Sequence, residues 1–186
     1  MNEPIDVTNI RIETNRLILR AWEERDLHDF YEYASVEGVG EKAGWNHHQS
    51  LEESRRILGF FINGKRTFAL EWKENGKVIG SLGLEPRDED AGLNGELMGR
   101  EIGYVLSKDY WGRGLMPEAV KAVIDYCFDV LGYDYLTCGH FDHNDRSRRV
   151  VEKSGFQFLK NVVTPTVRGI DEPGKMYVMY NPHKAI

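Results

Sequence analysis

The chain has 186 residues, 41% hydrophobic and 29% charged, which suits a single ordered domain over 1–186 whose core needs neither disulfides nor a structural metal. Its net charge of -6 argues against a nucleic-acid surface, because phosphate binding rests on clustered Lys and Arg. Cys127 and Cys138 form no disulfide framework or zinc-ligand pattern, the opening MNEPIDVTN has no export signal, and no apolar run reaches the roughly 18 residues of a membrane span, so a cytoplasmic protein is expected.

Arg16 to Arg20 alternates as a half-buried strand, and Leu27, Phe30, Tyr31 and Ala34 then recur at helical spacing. Ser50 with Glu53 reads as a capping box that opens a second helix, with Leu51, Leu58, Phe61 and Ile62 on its apolar stripe. The Gly- and His-rich segment from Gly38 to Gln49 is the loop between them. Thr67 to Lys73 and Val78 to Leu84 flank Asn75-Gly76, a dipeptide that supplies the positive φ angles of a tight hairpin turn. Leu97 to Leu106 reads as a central strand. Val120, Val123, Ile124, Cys127, Phe128 and Leu131 form a helical stripe ended by Gly132, with Pro117 tolerated in the first turn. Tyr135 to Phe141 is a strand, Asn144 to Ser154 a short helix stopped by Gly155, and Phe156 to Val162 and Met176 to Tyr180 are closing strands. Strands precede the central one without helices between them. The expected class is therefore α/β of the α+β kind, a mixed and mostly antiparallel central sheet flanked by helices, not a doubly wound nucleotide fold.

The segment Tyr104 to Ala119 runs from strand through a glycine-containing turn into an amphipathic helix. Unpaired N–H groups at such a helix start, with the positive dipole end, can hold a pyrophosphate, and Gly112 and Gly114 allow close approach. A ligand-free glycine turn has the same pattern, so G-x-G alone decides nothing.

Three blocks carry a resemblance: Tyr110-Trp-Gly-Arg-Gly-Leu-Met116 with Glu118-Ala119; Asn144-Asp-Arg-Ser147 with Glu152-Lys-Ser-Gly-Phe156; and Thr14-Asn-Arg-Leu-Ile-Leu-Arg20. On these, the chain resembles the GNAT superfamily of N-acetyltransferases, and within it the ribosomal-protein N-terminal acetyltransferase branch. The family's cofactor signature is Gln/Arg-x-x-Gly-x-Gly/Ala; here Trp111 stands at the first position, Gly114 at the central glycine and Met116 at the last, so two of the three depart.

The resemblance implies direct acetyl transfer from acetyl-CoA, without metal, nucleic acid or membrane, to a primary amine on a peptide N-terminus or a small molecule; a homodimer is left open. It places Tyr104, Val105 and Leu106 against the pantetheine arm and acetyl oxygen, with Gly103 relaxing the strand into a bulge. Trp111, Gly112, Arg113, Gly114, Leu115 and Met116 would hold the cofactor, with the pyrophosphate near the amides of Gly112 through Met116. Asn144 would bond the pantetheine arm, or serve as a plain helix N-cap. Glu101 matches the general-base position; its alternative is a strand carboxylate paired with a surface arginine. The tyrosine that many members place seven residues after the Asn is Val151 here. Ser147 is then the candidate donor to the departing sulfur, its alternative being a first-turn serine bonding the cap.

The remaining candidates are weaker. His47 and His48 lie in the loop that borders the acceptor site in this family, yet a solvated pair is the expected reading. His140 and His143 are expected at the surface, with one a reserve base, and Cys138 as a core thiol. Asp88-Glu89-Asp90 is a solvated loop, or else draws a cationic acceptor. Rival functions are acetylation of a polyamine, amino acid or aminoglycoside, and a catalytically silent acyl-CoA-binding protein. A nucleotide-binding module would need a phosphate fingerprint that the sequence lacks.

Overall fold

Alternating strand segments and 3.6-residue stripes condense into one sheet with helices on both faces. The structure, a computed structural model, describes residues 4–86 and 96–185. Its strands are β1 (Ile12–Glu13), β2 (Leu17–Ala21), β3 (Thr67–Trp72), β4 (Lys77–Pro86), β5 (Gly99–Leu106), β6 (Tyr135–Phe141), β7 (Gln157–Pro165) and β8 (Asp171–Tyr180). Its helices are α1 (Leu27–Ala34), α2 (Leu51–Gly64), α3 (Leu115–Asp129) and α4 (Asp145–Lys153). The sheet order is β1-β2-β3-β4-β5-β6-β8-β7. Every neighbouring pair is antiparallel except β5–β6, which is parallel. The crossover that parallel pairing demands is supplied by α3.

Alternation along the strands divides the core. Leu17, Leu19, Phe68, Leu70, Ile102 and Leu106 face α3, whose Leu115, Ala119, Val120, Val123 and Cys127 are buried against them. Ala69 and Val78 face the other way, onto Trp22, Phe30, Tyr33 and Leu58 of the α1–α2 layer. Tyr33 takes the buried place expected of Tyr31, which is only partly covered. Both lie near the stripe that Leu27, Phe30 and Ala34 define, and Tyr33 packs on Phe30 with ring centroids 5.5 Å apart.

Three local expectations change. The β3–β4 connection is a four-residue loop over 73–76 in which Gly76 alone takes a positive φ, and a register shift between Leu70 and Glu71 takes up the mismatch. The capping box is half formed: Ser50 Oγ accepts from Glu53 N at 3.1 Å, while the Glu53 carboxylate takes the Gln49 amide. Helix α3 ends at Asp129, before Gly132, which turns the chain at φ 66. The acidic run Asp88-Glu89-Asp90 lies outside the described residues.

Arg20 and Asp26 form a buried bidentate pair at 2.8 and 2.9 Å, and Arg20 Nε also reaches Glu71 at 2.6 Å. This pair locks the end of β2 to the start of α1. One function of the Thr14–Arg20 block is therefore structural.

Candidate active site

The site begins where two strands part. β5 and β6 pair from Gly99↔Tyr135 to Ile102↔Cys138, and no pairing follows. Across β5, pairing with β4 continues unbroken from Pro86↔Arg100 to Gly80↔Leu106, so the bulge expected at Gly103 is not formed. Ser107 N donates to Ile79 O at 2.7 Å. By the alternation of an antiparallel ladder, Gly103 and Val105 then bond β4, while Tyr104 and Leu106 turn their N–H and C=O toward the gap. The opening comes from divergence of a parallel pair, with no inserted residue.

Helix α3 starts at the mouth of this gap. Gly112 and Gly114 hold φ of 78° and 74°, a region costly for any residue with a Cβ, and Gly114 is the N-cap. The first helical amide bond is Glu118 N to Gly114 O, and Pro117 has no N–H, so the amides of Leu115 and Met116 are left at the open end. A clamp fixes this turn. Glu118 accepts from Thr14 Oγ1 at 2.6 Å and from Arg16 N and Nε at 2.8 Å, while Arg16 Nη1 donates to Arg113 O at 2.9 Å. Trp111 Nε1 donates to Leu106 O at 2.8 Å, tying the turn to the end of β5.

Helix α4 forms the opposite wall of a cavity of about 260 Å³. Of the residues expected at the cofactor or catalytic positions, Tyr104, Val105, Leu106, Trp111, Gly112, Gly114, Leu115, Met116, Asn144 and Ser147 line it. Arg113 does not: its guanidinium donates to Asp109 O and lies 5.0 Å over the Tyr110 ring. Lys42, Tyr110, Arg146, Arg149 and Lys153 also line the cavity and were not anticipated. Arg146, Arg149 and Lys153 recur at i, i+3 and i+7, a spacing that places them on one helix face and was legible in the sequence. Arg146 sits 4.7 Å over the Trp111 ring, so the aromatic residue at the signature's first position buttresses a cation. An acidic chain thus presents a cationic wall beside free helix-start amides, a setting for an extended polyanion.

At the inner end, Asn144 Oδ1 caps Ser147 N at 3.2 Å and its Nδ2 donates to Lys42 O at 3.0 Å. Both functions of its amide are therefore engaged. Ser147 Oγ is 2.9 Å from the Tyr104 hydroxyl. Val151 is fully buried in the core. Glu101 is partly buried between Glu85 of β4 and Thr137 of β6, outside the cavity lining. Alternation places it on the opposite face of β5 from Tyr104, with Gly103 and Val105. Gly103 lies opposite Gly83, and a Cβ there would meet nothing within 4 Å, which leaves open space beside Glu101.

Neither His48 nor His140 is at the surface. His48 is buried on Phe30 and Trp45 with Nδ1 2.7 Å from Ser54 Oγ, and burial holds it below the ordinary imidazole value. His140 is buried with Nε2 3.3 Å from the Tyr177 hydroxyl. His47 pairs with Glu41 at 2.8 Å, and His143 with Glu172 at 3.3 Å. Cys138 is a core thiol pushed up to about 12 by burial and by the nearby Glu101 charge. Among the described residues no group of three or more His, Cys, Asp or Glu side chains could hold a metal ion, and no helix is long and apolar enough to cross a membrane.

Comparison with known proteins bears on this geometry. The chain is 27% identical over 151 residues to the uncharacterized N-acetyltransferase YoaA of Bacillus subtilis (strain 168), covering 78% of this chain and 82% of that protein. A GNAT-family acetyltransferase from Bacillus anthracis superposes with TM-score 0.80 at 20% identity, over 92% of this chain and 99% of that one. The ribosomal-protein-S5-alanine acetyltransferase from Vibrio fischeri gives 0.70 at 18% identity, over 96% and 100%. The microcin C7 self-immunity acetyltransferase MccE, solved with acetyl-CoA and AMP, gives 0.74 at 12% identity, over 89% and 93%. At these identities the solved structures speak for the fold alone. Residues 16–157 match the model of the acetyltransferase (GNAT) domain, and with most of its length inside that match the chain belongs to the GNAT family of acetyltransferases.

Proposed function

We propose that the chain uses acetyl-CoA to acetylate a primary amine, with a protein N-terminus as the acceptor class. The observation that carries the cofactor reading is the cleft itself: an open strand edge, the α3 start and a cationic α4 wall, together matched to an amide-bearing arm and a pyrophosphate. The Tyr104 and Leu106 backbone groups would hold the pantetheine amides as an added strand. The amides from Gly112 to Met116 would receive the phosphates, with Arg146, Arg149 and Lys153 offsetting their charge. Acetyl-CoA contributes a thioester whose carbonyl an amine can attack.

Glu101 is the base in this reading. A carboxylate beside the open space over Gly103 can take a proton from the arriving ammonium, directly or through one water. Glu85 lies across the ladder from Glu101, its charge offset by Arg66 at 2.5 Å. The ribosomal-protein acetyltransferase among the fold neighbours supports testing peptide N-termini first.

The test is release of free CoA thiol from acetyl-CoA with a panel of amines. It includes peptides beginning with Ala or Ser, a polyamine, an amino acid and an aminoglycoside. The reading expects the peptides to be the fastest acceptors. Faster turnover of a small amine would reassign the acceptor, and acetyl-CoA binding without turnover of any amine would make the chain a silent binder.

A further inference from the structure

The acetyl-transfer chemistry proposed above gives no part to one half-buried hydroxyl on the cavity wall. Tyr104 projects from β5 to the α4 side, where its oxygen lies 2.9 Å from Ser147 Oγ and 3.3 Å from Ser147 O. Both residues line the cavity. A serine hydroxyl has one hydrogen, so its direction decides whether Ser147 can serve the cavity at all. If Ser147 donates to Tyr104, the cavity receives nothing from it. If Tyr104 donates to Ser147 Oγ, the serine hydrogen is free to point inward, and the accepted bond polarises it. The serine backbone N–H is already held by Asn144, and the single Tyr104 hydrogen has two acceptors in reach, Ser147 Oγ at 2.9 Å and the Ser147 carbonyl at 3.3 Å, of which the shorter contact is the hydroxyl.

We propose that Tyr104 is a positioning residue that donates to Ser147 Oγ and thereby aims the Ser147 hydroxyl at the cofactor sulfur. The inference rests on the reading of this cleft as the acetyl-CoA site. When the C–S bond breaks, its electron pair stays on sulfur, and the aimed hydroxyl stabilises that thiolate by a hydrogen bond without giving up its proton. Tyr104 suits the part because burial holds its phenol well above the ordinary value, so it remains a neutral donor. Val151, the α4 position at which the resemblance would place a tyrosine, has no polar side-chain atom to offer and is buried.

The pair should leave a mark on cofactor binding that needs no turnover. A hydrogen bond to the charged form lowers the pKa of the bound thiol, so CoA should gain affinity as pH rises toward about 8.5, the free-thiol value. Desulfo-CoA, which lacks the thiol, supplies the baseline. The charged or titratable side chains facing the cavity are Lys42, Tyr104, Tyr110, Arg146, Arg149 and Lys153, with Cys138 behind Tyr104. Among the described residues that line it none is a carboxylate or imidazole. The cations also favour a thiolate, so the pair is read as a difference between variants.

The experiment is calorimetric titration of CoA and desulfo-CoA from pH 6.5 to 9.5, on wild type, Tyr104→Phe, Ser147→Ala, the double variant and Ser147→Thr, each checked for an unchanged melting temperature. The expected result is an alkaline gain for CoA over desulfo-CoA that is about tenfold smaller in Ser147→Ala than in wild type. Tyr104→Phe should lose a similar share, the double variant no more than either, and Ser147→Thr, which keeps the hydroxyl, should retain the gain. A wild-type gain in Tyr104→Phe, or additive losses in the double variant, would overturn the proposal while leaving the cleft reading intact. Failure of wild type to bind either ligand would remove the cleft reading and the proposal with it. Should Tyr104→Phe not fold, a wild-type gain in Ser147→Ala alone suffices to reject it.

Discussion

Replacing Glu118 by Gln tests whether the clamp at the start of α3 positions the proposed phosphate site. The carboxylate receives Thr14 Oγ1, Arg16 N and Arg16 Nε within 2.8 Å, and Arg16 Nη2 lies at 2.7 Å. A net hydrogen bond to a charged group contributes about 1.5–3 kcal/mol, but Arg16 is 36% exposed, so its share falls toward the ~1 kcal/mol or less of a screened surface pair. Gln keeps one acceptor oxygen and turns an NH₂ toward donors. The net loss should be about 2 kcal/mol, a drop of roughly 4–8 °C in melting temperature for a chain of this size. Burial alone would raise the Glu118 carboxyl, but the Thr14 and Arg16 hydrogen bonds outweigh it and hold the group below the ordinary 4.5. A depressed folded-state pKa contributes stability that is complete above the unfolded value and lost as pH falls through the folded one. The gap between wild type and Glu118→Gln should therefore be full at pH 7 and already smaller at pH 4, just below the unfolded value. Melting curves at both values, with CoA titration at pH 7, read the two effects. An unchanged melting temperature at pH 7, or a gap equally wide at pH 4, would refute the reasoning.

Asp26→Ala should cost about 3–5 kcal/mol by removing the bidentate partner of buried Arg20, which keeps Glu71, the Ala21 carbonyl and Glu23 at 3.9 Å, with denaturant unfolding as the check; a loss under ~1 kcal/mol would mean that the pair is effectively solvated. Gly114→Val places a β-branched residue at φ 74 and should weaken CoA binding by more than ~1 kcal/mol in protein that remains folded, as measured by calorimetry. Glu101→Gln should lower turnover with the best amine while leaving CoA affinity nearly intact; unchanged turnover at neutral and lower pH would return the base role to solvent or another group.

The strand alternation, the α3 stripe and the glycine turn were legible because each is a local pattern, and most of the expected cofactor residues do meet in one cavity. What escaped the sequence depended on partners far along the chain. Thr14 and Arg16 could be seen as a family block, but their hold on Glu118 spans about a hundred positions and has no periodic signature. The sequence predicts His48 and His140 outside because histidine is polar; aromatic neighbours, the Ser54 hydroxyl on His48, and the Phe141 carbonyl and Tyr177 hydroxyl on His140 make their burial tolerable. Gly103 suggested a bulge, whereas the opening arises from where β6 stops pairing, a property of two strands together. The Tyr104 hydroxyl beside Ser147 was hidden for the same reason: strand residue and helix residue are 43 positions apart.

The most direct test of the account is a crystal structure of the chain with CoA. It predicts pyrophosphate oxygens within hydrogen-bond distance of the amides between Gly112 and Met116, the pantetheine arm along Tyr104 and Leu106 in the gap between β5 and β6, and the sulfur beside Ser147. CoA bound away from that gap, or entering it with the adenine end first, would contradict the account.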